Sequence, residues 1–232
     1  MKKRYLAVNI LFFAAIMAAD AAYALTNEIA VKAAASLLFT AECAFNTVVC
    51  ARKKAGMKFP ILLFSAVALA CAADITLNFK FIVGMLLFGI GHVLYFVSYC
   101  VREKFSPRDF IPAAVSTAGL LAIILFAPIL DFDGDTFMQT AVCVYAAIIS
   151  VMVGKSLSDA FHRRTSLNIL IAAGSVLFWI SDFALMFSKF GKIPYTGLVC
   201  LFTYYPAQFV LALSPLVYAL VYEKSAEKSP LG

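Results

Sequence analysis

The feature that most restricts this chain is a repeated one. Eight runs of apolar residues, each about as long as a bilayer is thick, follow one another with only short polar links between them. A helix needs roughly 20 such residues to cross the hydrocarbon core. The runs lie at 5–25, 28–50, 59–77, 81–101, 110–130, 136–154, 166–187 and 195–222. Inside lipid every backbone N–H and C=O has to be satisfied by the protein itself, which continuous runs of this length achieve as helices. The expected fold is therefore all-α: a polytopic membrane protein, one integral domain over residues 1–232, with eight transmembrane helices and a polar C-terminal tail at 223–232. Composition agrees, because 63% hydrophobic against 14% charged residues is more apolar surface than a 232-residue soluble core can hide. Links this short make consecutive helices antiparallel neighbours.

The net charge of +6 invites a nucleic-acid reading, but the basic residues sit in the links, where they report topology instead. With the N-terminus in the cytoplasm, the inner segments hold Lys2, Lys3 and Arg4, then Arg52, Lys53, Lys54 and Lys58, then Arg102, Lys104 and Arg108, then Lys155, Arg163 and Arg164, and finally Lys224 and Lys228. The outer links hold only Lys80, Lys189 and Lys192. This bias predicts that both termini are cytoplasmic. In a bacterium the protein would sit in the inner membrane. The basic start, the first run and Ala22-Tyr23-Ala24 also have the form of a secretory signal. The run is long for a signal and contains Asn9 and Asp20, so a retained first helix is expected.

Cys43, Cys50, Cys71, Cys100, Cys143 and Cys200 all lie within or at the ends of apolar runs, without a CxxC pair, and read as small buried hydrophobes. Asp131-Phe132-Asp133-Gly134-Asp135 lacks the register and terminal Glu of a calcium loop and reads as an acidic turn. His92 lies within a span and His162 in a basic inner link, which argues against a histidine-rich zinc site. Nucleophile-elbow and P-loop motifs are absent.

Ionisable groups inside a bilayer are costly and mark function or helix pairing. Here they are Asp20, Lys32, Glu42, Asp74, His92 and Asp182, joined by the polar Tyr145, Ser181, Tyr204, Tyr205 and Gln208. At 1.5 Å rise per residue, Asp74 and Asp182 lie roughly 9 and 8 Å beyond the midpoints of outward-running helices. Lys32 and Tyr204 lie roughly 10 and 6 Å before the midpoints of inward-running ones. His92 and Gln208 fall near mid-depth. Independent helices thus bring polar groups to one level in the outer half, which predicts a polar cavity lined by the third, fourth, seventh and eighth helices. A pair of carboxyls in a low-dielectric pocket can divide into one protonated and one ionised member, the requirement for acid–base chemistry. The competing expectation is structural pairing, for which Asp20 with Lys32 is the best case. His92 suits an interhelical hydrogen bond as well as catalysis, and Glu42 suits helix packing. The same polar set also fits a proton-coupled transporter of a small lipid or amphiphile, although no paired internal repeat or broken helix pair is visible.

The ordered set of polar positions resembles the YhhN family of lysoplasmalogenase-like membrane proteins. Gly174, Leu177, Phe178, Ser181, Asp182 and Leu185 reproduce the spacing of one family segment. Phe88, His92 and Tyr95 are similar to a second, and Asp74 with Leu77 to a third, with Ala73 in place of the usual Gly. Tyr204-Tyr205-Pro206-Ala207-Gln208 resembles a fourth, and Lys32 matches the family's second-helix Lys, followed here by Ala33 where Pro is usual. The resemblance extends from about Lys32 to Gln208.

That resemblance implies an eight-helix hydrolase of the vinyl-ether bond of lysoplasmalogens, with a lysophospholipid as substrate and membrane lipids as surroundings. Asp74 and Asp182 would be the catalytic pair. Lys32, His92, Tyr145, Ser181, Tyr204, Tyr205 and Gln208 would position water or substrate. The chemistry, protonation of a vinyl carbon and attack of water on the resulting cation, calls for no metal or organic cofactor. Nothing in the sequence indicates an obligate protein partner.

Overall fold

Each apolar run folds as one helix. The computed structural model describes residues 2–228. Its helices are α1 (Lys2–Thr26), α2 (Ile29–Arg52), α3 (Lys58–Leu77), α4 (Phe81–Arg102), α5 (Phe110–Phe126), α6 (Thr136–His162), α7 (Ser166–Met186) and α8 (Thr196–Lys228). A 3-10 turn at Pro107–Asp109 leads into α5, and a π turn at Phe187–Gly191 follows α7. All eight helices are long and apolar enough to cross a membrane, and no strand occurs among the described residues. The protein is an integral, multi-pass membrane protein.

Three boundaries differ from the hydropathy reading, each for a local reason. The fifth helix stops at Phe126 because Pro128 drives Ala127 out of the helical region, to ψ 116°. The sixth continues to His162, so Lys155 is not a link residue. It lies 1% exposed inside the helix, its charge answered by Asp159 one turn later at 2.7 Å and by Asp109 at 3.2 Å. The eighth continues to Lys228, making part of the expected tail helical; residues 229–232 lie outside the described segment. The acidic stretch 131–135 is a tight turn with positive φ at Asp133 and Gly134. It ends on Asp135, whose carboxylate caps α6 by accepting from Met138 N.

Five helices close a ring: α3 packs on α4, α4 on α6, α6 on α7, α7 on α8, and α8 back on α3. Helix α2 packs against α3 and α8, α1 against α2 and α8, and α5 lies outside against α6. The middle of the ring is filled with aromatic side chains. Phe178 meets Phe88, His92, Tyr95 and Tyr204, mostly edge to face with centroids 4.7–6.2 Å apart. Without a hydrophobic drive between helices in lipid, close packing and interhelical hydrogen bonds hold such a bundle. Both are present. A Cβ on Gly154 would sit 2.5 Å from Ala113 N, so glycine is what lets α5 lie this near α6. The amides of Asn9 and Asn46 pair reciprocally at 3.1 and 2.8 Å, and Asn46 also donates to Ala212 O, joining α1, α2 and α8.

Candidate active site

A cavity of about 560 Å³ opens at the end of the bundle where α1, α3 and α7 finish and α2, α4 and α8 begin. Asp74 and Asp182, from helices more than 100 residues apart in sequence, both line it, together with Lys32, Ser181 and Tyr204. The wall is built from the four helices expected by depth and also from α1 and α2, through Tyr23, Asn27 and Lys32.

Asp74 is 4% exposed and takes contacts on both carboxyl oxygens. Lys32 Nζ lies 2.8 Å from Oδ1; Ser36 Oγ and Tyr205 Oη donate to Oδ2 at 2.7 and 3.0 Å. Lys32 and Ser36 converge because they stand four residues apart on one face of α2. Lys32 Nζ further donates to Asp74 O at 3.2 Å, and Asn78, one turn past Asp74, donates to the same carbonyl at 2.9 Å.

Asp182 is held differently. Both of its contacts fall on Oδ2: Tyr145 Oη donates at 2.5 Å, and His92 Nε2 lies at 3.2 Å. His92 Nε2 is also 2.8 Å from Tyr145 Oη, so three groups from α4, α6 and α7 form one cluster. His92 and Tyr145 are not on the cavity wall; they back Asp182 from behind. Its Oδ1 has no hydrogen bond among the described residues, and its side chain is 10% exposed, toward the cavity.

The remaining site expectations divide. Ser181 reaches the cavity beside Asp182, its Oγ 3.4 Å from Cys200 Sγ. Tyr204 lines the cavity, but its hydroxyl is spent on Ala70 O at 3.2 Å, so the residue presents a ring and no free hydroxyl. Tyr205 stands behind Asp74 and acts through it. Gln208 is not in the cavity: fully buried, it accepts from Tyr95 Oη at 2.9 Å, and its amide nitrogen has no partner among the described residues. Near mid-depth it shares a helix with the site but lies one turn below it, in the aromatic core.

Lys32 corrects a further expectation. Its partner is Asp74, not Asp20, because the stripe of α2 that carries it faces α3. Asp20 is fully buried with no hydrogen bond to either oxygen among the described residues, and Glu42 is in the same condition on α2. Sequence reasoning missed Ser36 and Asn78. Each lies four residues after a residue already singled out, so helical spacing around Lys32 and Asp74 was the signal that finds them.

The model of the YhhN family matches residues 27–215, which include α2 to α7, most of α8 and both aspartates. The chain is 33% identical over 143 residues to lysoplasmalogenase TMEM86A of Bos taurus, covering 58% of this chain and 55% of that protein. It is 31% identical over 140 residues to lysoplasmalogenase TMEM86A of Homo sapiens, with the same coverage. The match thus spans about half the length of these curated relatives. No solved structure matches. By the extent of the family match, this chain belongs to the YhhN family.

Proposed function

We propose that the protein is a membrane-embedded hydrolase that opens the vinyl-ether bond of lysoplasmalogens, releasing a fatty aldehyde and glycerophosphocholine or glycerophosphoethanolamine. One observation carries the reading: Asp74 and Asp182 face a single cavity, Asp74 held through both carboxyl oxygens and Asp182 through Oδ2 alone. The activity in the names of the bovine and human relatives supports it. With the termini cytoplasmic, as the charge bias favours, the cavity opens toward the outer leaflet.

Asp74 receives donors on both oxygens, one of them an ammonium, which is the environment of a carboxylate. Asp182 has only Oδ2 occupied, so Oδ1 is free to carry a proton toward substrate. Asp182 is therefore the acid. It gives its proton to the vinyl carbon remote from the ether oxygen, and the double bond's electrons form the new C–H bond. The oxocarbenium ion left behind faces the Asp74 carboxylate. Water adds to the cation and returns a proton to Asp182, which restores the acid and leaves a hemiacetal. The hemiacetal's C–O bond then breaks, its hydroxyl proton ending on the departing glycerol oxygen. One water is consumed and no net proton. Lys32, Ser36 and Tyr205 hold the anion; His92 and Tyr145 orient the acid.

The test is aldehyde release from lysoplasmalogen by purified protein in detergent, without any ion gradient. Wild type is expected to release aldehyde, and folded Asp74→Asn and Asp182→Asn variants to lose about 10³-fold or more of the rate. Wild-type rates in both variants would falsify the assignment. Movement of intact lipid only under a proton gradient would replace the hydrolase with a transporter.

A further inference from the structure

The large cavity is not the only space that Asp182 borders. This residue also lines two smaller pockets of about 40 Å³ each. The nearer, between Met85, Val142, Met186 and Phe190, shares Leu77, Phe81, Phe88 and Leu185 with the large cavity. The farther, reaching Ile124 and Trp179, shares Val142, Tyr145 and Met186 with the nearer one. Asp182 lines all three, so the spaces adjoin one another through shared walls, with this residue of α7 common to them.

Their chemistry differs. The large cavity carries Lys32, Asp74, Asn27, Asn78 and Lys189. In the small pockets the polar side chains are Asp182, Tyr145 and the indole of Trp179, and the first two are bonded to each other. Voids in a packed interior forfeit contacts and cost stability, and apolar ones stay dry. Two of them beside the proposed acid offer apolar space that a hydrocarbon chain can fill.

An amphiphile with a polar head, an ether bond and a hydrocarbon tail has the same order as the site. Resting on the lysoplasmalogenase reading above, we infer that the alkenyl chain passes Asp182 into an apolar slot between α4, α6 and α7, where Val142 and Met186 set the chain length accepted. The head and glycerol then occupy the large cavity beside Asp74 and Lys32. This direction puts the chain-side vinyl carbon at Asp182 and the ether oxygen toward Asp74, as acid and anion require. The slot is narrow at rest. Met85 and Met186 are unbranched and flexible, which lets it widen. The π turn begins directly after Met186, and such turns concentrate at functional sites.

Two measurements on the full-length protein test this. First, a non-hydrolysable alkyl-ether lysophospholipid with a diazirine at its chain end is photolysed with wild type, and the labelled peptides are mapped. Label on α4, α5, α6 or α7 around Met85, Ile124, Val142, Trp179 or Met186 supports the slot. Label confined to α1, α2 and α8, or absent, overturns it. Second, aldehyde release is compared for long-chain and short-chain lysoplasmalogens in Val142→Phe and Met186→Phe. Loss on the order of tenfold in kcat/KM for the long chain, with the short chain spared, is expected. Equal loss for both chains, or no change, overturns the chain-length assignment. Labelling in the slot together with no aldehyde from wild type would uphold the binding path while removing the hydrolase reading.

Discussion

The bundle buries a lysine against aspartate at each end, and the two ends differ in what surrounds the pair. At the cavity end, Lys32 meets Asp74 at 2.8 Å beside about 560 Å³ of open space. At the other end, Lys155 meets Asp159 at 2.7 Å and Asp109 at 3.2 Å and donates to Lys104 O at 3.3 Å. Around it Arg102 bonds Asn168, Arg163 bonds Glu103, and Asn168 donates to Asp159 O and Arg163 O, which ties α4, α6 and α7 and the turn before α5 together. The space left there is about 130 Å³. The same ion pair is thus a fastening where charges close on one another, and a site where one wall of the pair is left open. Burial of charge alone does not distinguish the two; the adjoining free volume does.

The comparison is broken most directly at Asp182. Asp182→Asn is expected to cut aldehyde release about 10³-fold while thermal unfolding in detergent shifts little, because Tyr145 keeps an acceptor. A large drop in stability with activity per folded molecule intact would make the cavity end a fastening too. Lys155→Met should do the reverse: it strands Asp109 and Asp159 in a buried place and costs about 3–5 kcal/mol, read as a lowered unfolding temperature, with the rate per folded molecule unchanged. Lys32→Met sharpens the contrast, since Asp74 retains Ser36, Tyr205 and an open face. Its stability loss should be smaller than that of Lys155→Met, and its loss of kcat larger. Tyr145→Phe removes one of two contacts to Asp182 and should lower kcat about 10- to 100-fold with KM nearly constant. The smallest effect belongs to Asp135→Ala, which removes the α6 cap: about 1 kcal/mol of stability, with catalysis untouched.

Much of the site was legible along the chain. Asp74, Asp182, Lys32 and Tyr204 were found by depth and Ser181 by its polarity beside Asp182, and all five line the cavity. Depth follows from position in a span at a fixed rise per residue, so it can be read without neighbours. Rotation about the helix axis cannot. Gln208 has the composition of a site residue but points into the aromatic core at Tyr95, and Lys32 turns from Asp20 to Asp74. Lys155 looked like a link residue because a charge ends an apolar run; its two carboxylate partners, which let the helix continue, come from its own next turn and from Asp109, 46 positions earlier.

Run length and composition by themselves determined that eight helices cross a membrane, because insertion is a nearly additive property of about 20 consecutive residues. The order of polar positions was enough to point to the family. Only the tertiary structure decided that α3, α4, α6, α7 and α8 form the ring, that Tyr145 and His92 stand behind Asp182, and that one buried lysine fastens while the other faces a cavity. Those outcomes depend on which helix faces meet, and in lipid that is settled by packing and hydrogen bonding between helices, contacts that no single span contains.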